Sequence, residues 1–172
     1  MIIALLIDPD DSPDFPGNTA EVLGRPLAAF PLMAAKDSGH VGRLYAQTAS
    51  APVRRAAAQV GAVILDPPVP PNGGDRPFSD EALVAHGWRQ VKEDLKAENT
   101  APELVVLLFA NSGAVSSTLI EQGIDALLKD PKPDSAATVS PYERWTPRRA
   151  FRETEEGRLA PYAACVPAAG TP

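Results

Sequence analysis

The chain has 172 residues, enough for one domain with a substantial core, and its 44% hydrophobic content argues against a disordered polymer. A net charge of −6 and a pI near 4.9 argue against nucleic acid or an anionic membrane surface as partner, since both require a basic footprint. No apolar run approaches the roughly 20 residues of a membrane span, no secretory leader is recognisable, and Cys165 stands alone, so a cytoplasmic protein is expected.

Taken in order, Ile2 to Ile7 is a short apolar run rich in β-branched residues. It is apolar on both faces, which predicts a central parallel strand. The loop after it carries Asp8, Asp10, Asp11 and Asp14, and the first basic residue is Arg25. Open α/β sheets bind ligands at the C-terminal ends of their strands, so this loop is the leading site candidate. A helix is expected over 27–38, with Pro26 before it, Pro31 near its first turn and Gly39 as its stop. Residues 43–48 read as a second strand. Ser50 is placed to cap a helix to about Val60 with Val53, Ala56, Ala57 and Val60 on one face. Residues 62–65 read as a third strand. These strand–helix alternations predict right-handed βαβ units and a parallel sheet.

Residues 66–77 form a long proline-rich loop. Ser79 then caps a helix to about Ala97, whose Val84, Trp88, Val91 and Leu95 make one stripe. Leu104 to Phe109 is again apolar on both faces and is expected to be central. After a loop over 110–117, a helix runs to Leu128. Thr118 and Glu121 offer a capping box, and Leu119, Ile120, Ile124 and Leu127 are expected in the core. A further strand is expected over 135–140. Beyond Pro141, Tyr142, Trp145, Phe151 and Tyr162 alternate with Arg144, Arg148, Arg149 and Arg152, which reads as an extended hairpin with interface character.

Several local strings carry a resemblance. The first strand is followed by Ser12, then Phe15-Pro16-Gly17-Asn18, then Gly24-Arg25-Pro26-Leu27. Further on stand Gln47-Thr48-Ala49, Val60-Gly61-Ala62, Leu65-Asp66-Pro67, Leu107 to Gly113, and Asp134 to Val139 followed by Pro141-Tyr142. In this order the strings resemble the cytidylyltransferases that activate acidic sugars, typified by CMP-sialic acid synthetase. The resemblance implies a Rossmann-like three-layer α/β sandwich with a mostly parallel sheet, of the nucleotide-diphospho-sugar transferase type, and a single domain over 1–172 with residues 141–165 as a dimerisation hairpin. It also implies transfer of CMP from CTP to an acidic sugar with Mg²⁺, in a homodimer. The nucleotide-binding positions it implies are Asp10, Ser12, Asn18, Thr48, Asp66, Asn111 and Ser112.

The departures from the family pattern are chemical. Its first-loop Arg falls at Pro9 or Asp10 and its first Lys at Pro13. The Arg of its Leu-Arg-Pro is Asp66, its base-contacting Gln is Phe109, and the Asp of its Ser-Thr-Asp is Ala49. The family's metal-binding aspartates lie beyond the hairpin, past Pro172. Pyrophosphate loss relies on cations aimed at developing phosphate charge. These replacements therefore open an alternative, a catalytically inactive relative acting as a dimeric binding or interaction module. Another is an acidic pocket for Mg²⁺ or a cationic or uncharged small molecule, built from Asp8, Asp10, Asp11 and Asp14. His40 at a helix end, His86 without a second histidine or cysteine nearby, Cys165 without a histidine partner, and Gly73-Gly74 in a turn suggest no further site. Ser112 lacks the Gly-x-Ser-x-Gly elbow of a hydrolase nucleophile.

Overall fold

A computed structural model describes residues 1–9, 17–69, 79–130, 132–139, 151–155 and 157–161. The chain divides into two compact units, Met1–Ala137 and Thr138–Pro172.

The first unit is built on four parallel strands, β1 (Ile2–Ile7), β4 (Val41–Gln47), β5 (Val63–Leu65) and β6 (Leu104–Phe109), in the order β5-β4-β1-β6. Every residue of β1 is buried, as a strand apolar on both faces requires. Its alternate side chains enter two cores. Ile2, Ala4 and Leu6 pack with residues of α1 (Ala29–Asp37), α2 (Ala51–Gln59) and α4 (Ser117–Lys129). Ile3, Leu5 and Ile7 pack with Leu83, Val91 and Leu95 of α3 (Asp80–Ala97). Helix, sheet and helix thus form the expected three layers. The chain steps outward from β1 to β4 to β5, then crosses back through α3 to the other side of β1. That reversal places a topological switch point between β1 and β6.

Between β1 and α1 lies a small hairpin that the sequence reading did not anticipate, β2 (Glu21–Val22) with β3 (Arg25–Pro26). Its two-residue turn places Leu23 (φ 50°) and Gly24 (φ 76°) both in the left-handed region, as a type I′ hairpin demands. The α1 helix consequently starts at Ala29, two residues later than expected, with Pro31 buried in its first turn.

The third helix is tied to the sheet by charge. Arg43 of β4 donates to both carboxylate oxygens of Glu98 (3.0 and 2.8 Å) and to Asp94 (3.3 Å), and the buried Tyr45 hydroxyl donates to Asp94 at 2.7 Å. At its other end, the Ser79 hydroxyl accepts from Ala82 N–H, as the sequence implied.

Four expectations need correction. β6 is an edge strand of the described sheet, and Val105 and Leu107, on the face that α3 covers over β1, are each 41% exposed. Hydrophobicity on both faces did not reveal that a single helix covers only part of that layer. α4 is capped by Ser116, whose hydroxyl accepts from Leu119 N–H, so Thr118 is not the cap; Glu121 instead accepts from Gly39 N–H across to the next helix end. Starting the helix there turns Leu119 outward, with Ile120 and Ile124 buried and Leu127 half-buried. No strand forms over 135–139, where Ser135, Ala136 and Ala137 lack strand propensity and every residue is exposed.

In the second unit, β7 (Phe151–Glu153) and β8 (Leu159–Pro161) form an antiparallel hairpin, in keeping with the expected change of pattern. Tyr142, Trp145, Tyr162, Cys165 and Arg144, Arg148 and Arg149 lie outside the described residues, as do Asp11, Asp14, Gly73 and Gly74.

Candidate functional site

Because β1, β4, β5 and β6 run parallel, their C-terminal ends open on one edge. The ladder continues one residue past three of them: Asp8 N–H donates to Gln47 C=O (3.1 Å), Thr48 N–H to Leu65 C=O (3.2 Å) and Ala110 N–H to Ile7 C=O (2.9 Å). Asp8, Thr48, Asp66 and Ala110 therefore leave the sheet at matching levels.

Asp8 is the hub of this edge. One carboxylate oxygen accepts from Asn18 Nδ2 (2.9 Å) and the other from Thr48 Oγ1 (2.5 Å). Asn18 Nδ2 also donates to Pro9 C=O (3.0 Å), and Thr48 Oγ1 accepts from Ser50 N–H (3.0 Å). Thr48 is fully buried and Asn18 is 4% exposed, so these are bonds in a poorly solvated setting, where a charged acceptor strengthens them. The network pins the exit of β1 to the exit of β4 and to the point where the first loop returns. Asn18 C=O then accepts from Ala28 N–H at the start of α1, which fixes that helix to the same corner.

A cation reaches this edge from a position that sequence reading passed over. Arg54 Nη1 donates to Thr48 C=O (3.0 Å) and to a carboxylate oxygen of Asp66 (2.8 Å). The acid that follows β5 is thus met by a guanidinium from α2. A signal existed: a residue in the first turn of a helix that follows a parallel strand lies beside the sheet's C-terminal edge, and helical side chains lean back toward the N-terminus. Gln90 of α3 donates to Asp66 C=O (2.7 Å), so the loop after β5 is held from both layers.

The N-termini of α1 and α2 have no side-chain cap, whereas α3 and α4 are capped by Ser79 and Ser116. The two uncapped ends follow β1 and β4. Phe30 N–H is already bonded to Leu27 C=O and Pro31 and Pro52 have no N–H, so what the two ends bring to that edge is chiefly the positive end of a helix dipole.

The proposed site residues are thus partly assembled. Asn18 and Thr48 meet through Asp8, and Asp66 joins them through Arg54. Asn111 and Ser112 are exposed on the loop after β6, bonded to one another at 3.5 Å, and no hydrogen bond links them to the Asp8 network among the described residues. That loop is seated against the start of α1: a Cβ on Gly113 would lie 2.4 Å from Leu27 Cδ1. Asp10 and Ser12 lie outside the described residues. Phe109, the last residue of β6, packs half-buried on the core under α3.

Gln47, the last residue of β4, is fully buried, and neither amide atom has a hydrogen-bond partner among the described residues. Gly87 of α3 lies over it so closely that a Cβ would stand 2.5 Å from Gln47 Oε1. Among the described residues no three His, Cys, Asp or Glu side chains converge as a metal site, and no helix is long and apolar enough to cross a membrane.

The chain matches no protein-family model and no curated protein. Its fold is similar to two solved structures. One is CMP:2-keto-3-deoxy-manno-octonic acid synthetase complexed with CTP, with a TM-score of 0.52, 12% identity, and coverage of 76% of this chain and 48% of that one. The other is a cytidylyltransferase from Leptospira borgpetersenii serovar Hardjo-bovis, with a TM-score of 0.52, 13% identity, and coverage of 76% of this chain and 50% of that one. The chain spans about half the length of these proteins. The likeness shows that the chain shares the α/β fold of these two proteins.

Proposed function

We propose that the protein is a cytidylyltransferase-like nucleotide-binding protein whose C-terminal sheet edge takes CTP, with an acidic sugar as acceptor. The observation that carries this reading is the Asp8–Asn18–Thr48 network at the exit of β1, in a fold shared with a synthetase solved with CTP. The α1 and α2 dipole ends supply positive potential at the same edge, and the Arg54–Asp66 ion pair leaves no net charge there. In this reading Thr48 and Asn18 hold the loop in register, and Arg54 neutralises Asp66 so that a triphosphate meets less like charge. Mg²⁺ is the cation this reading implies, and no step is assigned to it. The β7–β8 hairpin, with Phe151 65% and Leu159 59% exposed, is the surface this reading assigns to homodimerisation in a cytoplasmic protein. Sedimentation of the Phe151→Glu variant as a monomer beside a dimeric wild type tests that assignment.

A second reading, a catalytically inactive relative, is favoured by Asp66 and Phe109 at positions where the family has Arg and Gln. Both readings meet in one experiment, thermal unfolding against CTP, other nucleoside triphosphates and Mg²⁺, followed by pyrophosphate release with acidic sugars. Ligand at about a hundred times its Kd stabilises by roughly 2.7 kcal/mol, a rise on the order of 5–10 °C. A rise selective for CTP, with pyrophosphate release, is expected of the transferase. A rise without release selects the inactive relative, and no rise with any nucleotide refutes both as nucleotide binders.

A further inference from the structure

We infer that the cavity between the β2–β3 hairpin and α2 binds a phosphate-sized oxyanion, at a site separate from the Asp8 network. The cavity has a volume of about 170 Å³, with Gly24, Arg25 and Pro26 on one wall and Pro52, Arg55 and Gln59 on the other. Two arginines therefore line one small cavity in a chain whose net charge is −6.

Their surroundings distinguish them from the other paired arginines. Arg43 and Arg54 have carboxylate partners, but among the described residues neither Arg25 nor Arg55 has a carboxylate oxygen within 4.0 Å. Arg25 Nη1 lies 3.1 Å from Met33 Sδ, and a thioether is a weak acceptor that leaves the remaining guanidinium donors unmet. An anion in the cavity can accept charge-assisted bonds from both residues that line it.

Size narrows the ligand. Pockets that enclose drug-sized molecules run to about 300–1,000 Å³, whereas a water occupies about 30 Å³ of liquid. A cavity of 170 Å³ is too small for a whole nucleotide and ample for a group of four oxygens around phosphorus. The occupant is thus free phosphate or the terminal phosphate of a larger ligand whose remainder lies outside.

The test is calorimetric titration of the full chain with inorganic phosphate at low ionic strength, with ³¹P line broadening as a second readout. One site is expected. Arg25→Gln and Arg55→Gln should each weaken binding about tenfold or more, as expected for losing a hydrogen bond to a charged group, and the double variant should show none. Because both side chains are exposed, the unliganded variants should melt with the wild type. No phosphate binding by the wild type, or variants that bind as it does, overturns the inference. CTP separates the sources. A double variant that loses phosphate but keeps CTP marks a free-phosphate site. One that loses both, in a protein where CTP displaces phosphate, marks the cavity as the seat of a nucleotide's phosphate. Phosphate binding by the wild type is read in the absence of any nucleotide, so this inference and the nucleotide reading fail separately.

Discussion

Replacing Asp8 by alanine removes the acceptor on which the sheet edge is assembled. Thr48 Oγ1 loses its 2.5 Å bond inside a fully buried position, and Asn18 Nδ2 loses a 2.9 Å bond while keeping Pro9 C=O at 3.0 Å. Hydrogen bonds to charged groups contribute about 1.5–3 kcal/mol each. One is lost outright and the other is partly compensated, so the expected destabilisation is about 2–4 kcal/mol. A domain of this size melts roughly 2–4 °C lower per kcal/mol, so the expected fall in Tm is on the order of 5–15 °C. The assay is calorimetric unfolding of wild type, Asp8→Ala, Thr48→Val and the double variant. Because both residues belong to one network, their effects should fall short of additive by about 0.5–3 kcal/mol. An Asp8→Ala protein that melts with the wild type, or two strictly additive losses, would refute the claim that these bonds hold the edge.

Three further outcomes are expected. Gln47→Leu should raise the urea midpoint, because a buried amide without partners costs about 1–3 kcal/mol that an apolar residue of similar size does not; a lower midpoint means that the amide has a partner in solution. Burial pushes the Tyr45 hydroxyl above its ordinary 10.0, an effect opposed by Arg43 and reinforced by Asp94. The neutral form is thus favoured in the folded state, and its contribution is present below the unfolded-state pKa and lost as pH rises through the higher folded value. Absorbance titration should show one late tyrosine, moved earlier by Asp94→Asn, and stability that declines above pH 10; three tyrosines titrating together would contradict this. Gly113→Ala places a methyl 2.4 Å from Leu27 Cδ1, the far end of a half-buried side chain that can turn aside, so it should destabilise by no more than about 1 kcal/mol, a loss that a Leu27→Ala background should remove.

Much of the architecture was legible from local pattern. A run such as Ile2–Ile7 has one economical place, the middle of a sheet covered on both faces, and it is buried throughout. The alternation of such runs with alanine- and leucine-rich helices implied parallel strands, and parallel strands implied a site at their C-terminal edge. Asn18 and Thr48 were singled out through the resemblance alone, and the structure brings both side chains to Asp8 at that edge. What local pattern did not carry was the contest between neighbours. Leu104–Phe109 has the same apolar signature as β1, yet it lies at the edge of the described sheet, because strand order depends on which crossover reverses direction. Thr118 and Glu121 have the spacing of a capping box, but Ser116 two residues earlier took the cap and Glu121 was drawn to Gly39. The largest difference lies in charge. Read along the chain, Asp8 was one acid among several and Asp66 a lost cation; folding makes Asp8 the acceptor for Thr48 and Asn18 and brings Arg54 against Asp66. Sequence alone determined where the strands and helices run and which end of the sheet opens on the loops, because hydrophobic period and turn chemistry act over a few residues. Only the tertiary structure decided which of them meet, because hydrogen bonds and ion pairs act over a few ångströms between groups that the chain separates by tens of residues.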